Sequence, residues 1–215
     1  MKATSSLHAR LLYHEGMDVV HRFALVLALT LPTLLPAQDS SSKSKAHGKP
    51  VPAPRQTAEI IYRNADFAFT YKIPYGWIER TKQMQDDSAD PGKSRLLLAV
   101  FERPPEVTGD TVNSAVVITA ESAASYPGLK TAADYVGPLT ELTTSKGFKG
   151  DGDPYEFSVG ASTAARADFI RTTGSVTMRQ SSLVILRKGF VICFTFIAGS
   201  EDEIDELTEK LSLKP

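Results

Sequence analysis

The chain has 215 residues, with 24 Lys+Arg against 25 Asp+Glu and a formal net charge of -1. Hydrophobic residues make up 42% and charged residues 23%, an ordinary globular composition. The near-neutral balance gives no reason to expect nucleic acid or an anionic membrane surface as a partner, since both require concentrated basic charge. All four histidines, His8, His14, His21 and His47, precede residue 58. A Ser-His-Asp or Cys-His pair, or a histidine-ligated zinc or iron site, is therefore excluded from the rest of the chain.

From the N-terminus, Phe23 to Leu35 read FALVLALTLPTLL, an apolar run shorter than the ~20 residues a membrane-spanning helix needs. Arg22 precedes it and Pro36-Ala37-Gln38 follows, with Ala37 small enough for the last position before a cleavage site. That is the layout of a secretory signal peptide cut after Ala37. Met1 to Gly16 make a long leader, and a start at Met17 would leave MDVVHR as a short, basic-ended segment ahead of the run. Cleavage is expected rather than an uncleaved anchor, because the run is short and carries Pro32, with Pro36 just beyond it. No cysteine lies directly after it, so no lipobox thiol is available. The next segment, QDSSSKSKAHGKPVPAPRQT, holds almost no large apolar side chain and cannot bury enough surface to offset the entropy of ordering. The expected division is a leader and signal peptide over 1–37, a disordered Ser/Lys/Pro-rich linker over 38–57 carrying a solvated His47, and a folded domain over 58–215.

Within that domain, Ala58 to Asn64 and Phe67 to Ile73 read as two short strands, with Phe67, Phe69 and Tyr71 on one face by the two-residue alternation. Pro74-Tyr75-Gly76-Trp77 is a turn, because Pro fixes φ and Gly permits positive φ. Residues 82–93 are polar and carry a second turn at Asp90-Pro91-Gly92. Ser94 to Phe101 and Ala115 to Ala120 are almost continuously apolar, as in strands covered on both faces, with a polar loop over Arg103 to Asn113 between them. Leu129 to Leu142 is expected to be helical from Thr131, interrupted or ended at Gly137-Pro138. Ala164 to Arg171, Val176 to Arg187 and Phe190 to Ala198 are three further strands, the last two joined by a tight turn at Lys188-Gly189. Both faces of Phe190 to Ala198 are apolar, which marks a central strand and buries Cys193, the single cysteine, as an inert thiol. Ser200 with Glu203 is a capping box opening a helix whose apolar stripe is Ile204, Leu207 and Leu211, and whose acidic outer face is solvated.

Several of these motifs resemble the PsbP-like family, which takes in the photosystem II extrinsic accessory protein and DcrB-like bacterial envelope proteins. They are the strand ending in Ile73-Pro74-Tyr75-Gly76-Trp77, Val159-Gly160-Ala161 leading to Ala165-Arg166-Ala167-Asp168-Phe169, the hairpin Arg187-Lys188-Gly189-Phe190, and the closing segment Ser200 to Leu213. In order and spacing the resemblance covers most of residues 60–215. It implies an α+β fold, an α/β/α sandwich around a central, mainly antiparallel sheet. It implies no enzyme and supplies no shared catalytic motif, so no functional residue is carried over.

Candidate chemistry is sparse. Asp151-Gly152-Asp153 reads as a polar turn rather than a calcium loop, since Pro154, Tyr155 and Glu156 follow where further oxygen ligands are needed. Asp86, Asp87 and Asp90 form a similar acidic loop. Glu102, Glu121 and Asp168 are acids beside strands, and Arg166 and Asp168 share strand parity and so can pair. Ser158 and Ser162 flank Gly160 without forming a nucleophile elbow. No catalytic, cofactor-binding or metal residue is assigned. Tyr75 and Trp77 are the candidate partner surface, with Trp77 also suited to core packing beneath the C-terminal helix. The expectation is a secreted or periplasmic, non-enzymatic accessory or binding domain, a cofactor-free monomer acting on an unknown protein or small ligand. The alternatives are a carboxylate- or Ser/Lys-based extracytoplasmic hydrolase and a carrier of a small apolar ligand.

Overall fold

A computed structural model describes residues 60–86, 94–107, 109–159 and 162–213. The expected signal peptide and linker lie outside the described residues, as do Asp87 and Asp90 of the acidic loop. Among the described residues, eleven strands and three α-helices follow one another in the order β1 (Ile60–Asn64), β2 (Phe69–Ile73), β3 (Ile78–Glu79), α1 (Thr81–Asp86), β4 (Ser94–Phe101), β5 (Ala115–Ser122), α2 (Ala132–Ser145), β6 (Lys149–Gly150), β7 (Tyr155–Val159), β8 (Ser162–Thr173), β9 (Val176–Arg187), β10 (Phe190–Ala198), α3 (Glu201–Glu209) and β11 (Leu211–Leu213).

Eight strands make one antiparallel sheet, ordered β3-β4-β5-β10-β9-β8-β6, with β7 also paired to β8. A second, three-stranded sheet is ordered β1-β2-β11. The architecture is the expected α+β sandwich, with one refinement. Helix α2 covers one face of the large sheet, whereas the other face is covered jointly by α3 and the small sheet. β10 is central, between β5 and β9, and both its faces are buried as its sequence requires.

The covering of the second face follows from the alternation in β2 and from the turn before it, where Ala68 takes positive φ (51°) and the strand starts at Phe69 rather than at Phe67. Phe67, Phe69 and Tyr71 all point inward and meet the aromatic side of β10: Phe69 packs edge-on against Phe194 at 5.1 Å, Phe67 against Phe190 at 5.5 Å, and Tyr71 lies 6.3 Å from Phe196. Such edge-on pairs add about 0.5–1.5 kcal/mol each to the burial itself. The Tyr71 hydroxyl donates to the Leu207 carbonyl at 3.2 Å, tying the small sheet to the end of α3.

Four expectations are corrected or extended. Residues 81–86, in a stretch read only as polar with a turn at Asp90-Pro91-Gly92, form α1: the Thr81 hydroxyl accepts from the Ala99 N–H at 3.0 Å and the Gln85 amide donates to the Leu96 carbonyl at 2.6 Å, so the helix is held by the edge of β4. Helix α2 runs through Gly137-Pro138 to Ser145. The missing Pro138 N–H costs the helix a hydrogen bond, and the packed side chains of Tyr135, Val136, Leu139 and Thr143 on either side outweigh it. Leu211 does not extend the apolar stripe of α3. The helix ends at Glu209, and Leu211–Leu213 instead pair with Tyr71, Thr70 and Phe69 of β2. The Ser200–Glu203 box is half formed. The Ser200 hydroxyl accepts from the Glu203 N–H at 3.2 Å, but the Glu203 carboxylate takes the Ser114 hydroxyl and the Gly199 N–H. The complete box is at α2, where Thr131 and Asp134 accept from each other's backbone N–H.

The turns behave as their sequences ask. Trp77 N–H donates to the Pro74 carbonyl at 3.3 Å with Gly76 at φ 83°, a type II turn that requires the glycine. Lys188 and Gly189 both take positive φ (49° and 76°) between β9 and β10, the mirror-image geometry that suits a twisted hairpin.

Candidate functional site

The face of the large sheet beneath α2 is mostly apolar, with Ser182, Gln180 and Thr195 along β9 and β10 and an acid near the end of β5. Residues directly opposite one another in antiparallel register share a face. Glu121 lies opposite Ser94 of β4 and Val191 of β10, and Thr119, two residues back, lies opposite Cys193. Glu121 is 7% exposed. Its carboxylate accepts the Tyr126 hydroxyl on one oxygen and, at 3.1 Å, the Tyr135 hydroxyl on the other. The two tyrosine rings meet edge-on, with centroids 5.0 Å apart.

Local sequence explains how this cluster is assembled. β5 ends in a single helical turn, Ala123–Ser125, anchored by the Ala123 N–H on the Gly189 carbonyl at 2.9 Å. Tyr126 follows at once and folds back over Glu121. The capping box at Thr131 then starts α2 so that Tyr135, on its inward face, reaches the same carboxylate. Burial raises the Glu121 carboxyl above its ordinary value, against the opposing effect of the two tyrosyl hydrogen bonds. Burial, with the carboxylate next, pushes both tyrosines up as well. Cys193 is buried, its thiol pushed up to about 12 by desolvation, with Sγ 3.6 Å from the Thr195 hydroxyl. A thiol so held is protonated and unreactive at neutral pH.

Opposite Glu121, the Ser94 hydroxyl is buried and has no hydrogen-bond partner among the described residues. What the cluster can do chemically follows from its closure: an acid stoppered by two phenols donates to or accepts from those phenols, with Tyr135 itself buried in the core.

The remaining sequence candidates are dispersed. Arg166 and Asp168 pair at 3.0 Å on the opposite face, and the guanidinium also lies 3.8 Å from Asp205 of α3. The Asp151 carboxylate accepts from Arg179 at 2.6 Å, so this polar turn is tied to β9. Glu102 and Ser158 are exposed, and Gly160 lies outside the described residues. Among the described residues no group of three or more His, Cys, Asp or Glu is placed to hold a metal ion. No helix among them is long and apolar enough to cross a membrane.

The two members of the candidate partner surface part company. Tyr75, at the tip of the type II turn, is 84% exposed, whereas Trp77 is half-buried against the cluster that contains Phe194 and Leu207. The sequence signal that missed the Glu121 cluster was present but weak: a glutamate ending an apolar strand, with two tyrosines downstream, one of them on the buried side of a helix. Nothing local says that both hydroxyls converge on it.

No protein-family model matches the chain, and no curated protein matches it in sequence. Solved structures do. The solution structure of cyanobacterial PsbP (CyanoP) from Synechocystis sp. PCC 6803 superposes with a TM-score of 0.50 at 14% identity, over 80% of this chain and 98% of that one. The fold is PsbP-like. Looser similarity extends to PA94 from Pseudomonas aeruginosa, a protein of unknown function and putative regulator (TM-score 0.39, 16% identity, 73% of this chain and 98% of that one). It extends also to LpqN of Mycobacterium tuberculosis, involved in cell envelope biogenesis (TM-score 0.37, 14% identity, 74% of this chain and 91% of that one). In the PsbP-like frame the Pro74-Tyr75-Gly76-Trp77 turn joins β2 of the small sheet to β3 at the edge of the large one, and the Arg187-Lys188-Gly189-Phe190 motif is the β9–β10 hairpin.

Proposed function

We propose that the chain is an exported, non-enzymatic accessory or binding domain of the cell envelope, engaging its partner through the turn that carries Tyr75. The observation that supports this reading is the contrast between Tyr75 and Glu121. A large aromatic side chain is presented almost fully to solvent at the tip of a rigid turn, in the manner of an interface anchor. The one buried acid among the described residues, by contrast, is closed off by two tyrosines. An exposed tyrosine held at fixed backbone geometry loses little conformational freedom on docking, which favours binding. Export is read from the Phe23 to Leu35 run and Ala37.

The test is native mass spectrometry of the full chain purified from its own host envelope, alongside Tyr75→Ala. A discrete co-purifying partner that is lost in the variant, with unchanged thermal stability, supports the reading. A partner retained by the variant moves the surface elsewhere. Hydrolysis of chromogenic esters or glycosides that disappears in Glu121→Gln would replace it with the carboxylate-hydrolase alternative.

A further inference from the structure

The two edges of the eight-stranded sheet are treated differently. At the β4 edge, β3 pairs with Val100 and Phe101, and α1 takes up the Ala99 N–H and the Leu96 carbonyl, so that edge is closed over much of its length. At the far edge, among the described residues, β7 pairs with β8 alone, through Tyr155 to Val159. An edge strand carries a row of outward N–H and C=O groups and is a template for another extended chain unless lysine, proline or a covering element blocks it. β7, YEFSV, contains neither lysine nor proline. Tyr155 and Phe157 lie on one face, ring centroids 6.0 Å apart, with Tyr155 48% exposed and Phe157 only half-buried.

Charge selects the occupant. Residues 151–159 hold Asp151, Asp153 and Glu156 and no cation. Asp151 is paired with Arg179, while Asp153 and Glu156 are exposed. On the face of Tyr155 and Phe157, the Arg166–Asp205 contact brings α3 alongside β8, the strand next to β7. The outer side of α3 carries exposed Glu201, Asp202, Asp205, Glu206 and Glu209. A second copy of this chain is disfavoured, because antiparallel pairing of two β7 strands would bring two such acidic segments together.

We propose that the open edge of β7 docks an extended peptide segment whose side chains alternate between basic and apolar. The segment adds a ninth strand to the large sheet. Its backbone takes up the outward groups of β7, its cations lie beside Glu156 on one face, and its apolar side chains cover Tyr155 and Phe157 on the other. This is strand addition with specificity carried by alternate side chains. The surface lies at the edge of the sheet opposite the one that the Tyr75 turn leads into, and it does not depend on the role given to Tyr75.

The test is titration of the isotope-labelled full chain with a short peptide of alternating lysine and valine, blocked at both ends, followed by amide NMR. Two comparison peptides carry glutamate for lysine, or N-methyl groups on alternate amides. Expected are shifts concentrated at residues 155–159, loss of binding with either comparison peptide, and an affinity weakened about tenfold in Glu156→Lys and by rising salt. Ser158→Lys, at a second exposed position, gives the same weakening with unchanged thermal stability. Equal binding of the glutamate peptide, retained affinity after N-methylation, shifts elsewhere, or no shifts at millimolar peptide each overturn the proposal. Protein-concentration-dependent shifts at 155–159 without peptide overturn it too, by assigning the edge to a second copy.

Discussion

The two faces of the large sheet are buried to a similar depth by different means. The face toward α3 and the small sheet is sealed by ring-on-ring contacts among Phe67, Phe69, Tyr71, Phe190, Phe194 and Phe196, and its buried residues are almost entirely apolar. The face toward α2 mixes alanines (Ala99, Ala115, Ala132, Ala165 and Ala167) with Phe101, Phe148 and Phe169, and encloses a carboxyl with two phenols. The difference shows where stability and where discrimination reside. Aromatic burial is large and tolerant of angle, whereas a buried acid tolerates only the arrangement that satisfies it.

The comparison breaks most sharply at Phe194. Phe194→Ala removes a fully buried ring that touches the small sheet and should cost about 3–5 kcal/mol in urea unfolding, more than Leu139→Ala on α2, at about 2–3 kcal/mol. Equal losses would mean that the two faces contribute alike.

Next in size is Glu121→Ala, which strands two buried hydroxyls and leaves a cavity, at about 3 kcal/mol. The triple replacement Glu121→Leu with Tyr126→Phe and Tyr135→Phe should recover most of that loss, since removing all partners of a buried polar network is far less costly than removing one. A triple variant as unstable as the single one would show that the cluster contributes through shape rather than through hydrogen bonding.

A smaller effect is in pH. The folded Glu121 binds its proton more tightly than the unfolded one, whose ordinary value is 4.5. Protonation therefore favours the folded state. This contribution is fully present below pH 4.5 and is lost as pH rises from there through the raised folded value. Denaturant midpoints measured across that window should fall with rising pH in the native sequence, and this component should vanish in Glu121→Gln. An identical slope in the variant would place the titration elsewhere. Smallest of all, Tyr75→Ala should change stability by less than about 0.5 kcal/mol, because an exposed turn side chain touches little. A larger loss would mean that Tyr75 belongs to the fold rather than to its outward surface.

The strands β4, β9 and β10, the turns at Gly76 and Gly189, and the burial of Cys193 were legible because each is a local pattern: a continuous apolar run, or a glycine where φ must be positive. α1, β7 and β11 were not. α1 is held by β4, and β11 exists because β2 offers it a free edge at Tyr71, Thr70 and Phe69. Helix α2 crosses Pro138 because its neighbours are packed, which no propensity scale contains.

The candidate site divides the same way. Composition by itself determined that no histidine lies after residue 58 and that a single thiol sits in an apolar strand, since these are matters of residue inventory. The period-two alternation determined that Phe69 and Tyr71 share a buried face, whereas the turn at Ala68 delivers Phe67 to it. Only the tertiary structure decided that Glu121, and not Glu102 or Asp168, is the enclosed acid. That choice depends on where the chain returns after β5, placing Tyr126 and Tyr135 over one carboxylate out of several that look alike in sequence. It also decided that β7 forms an open edge, because which strand ends a sheet is settled by the pairing of all the others.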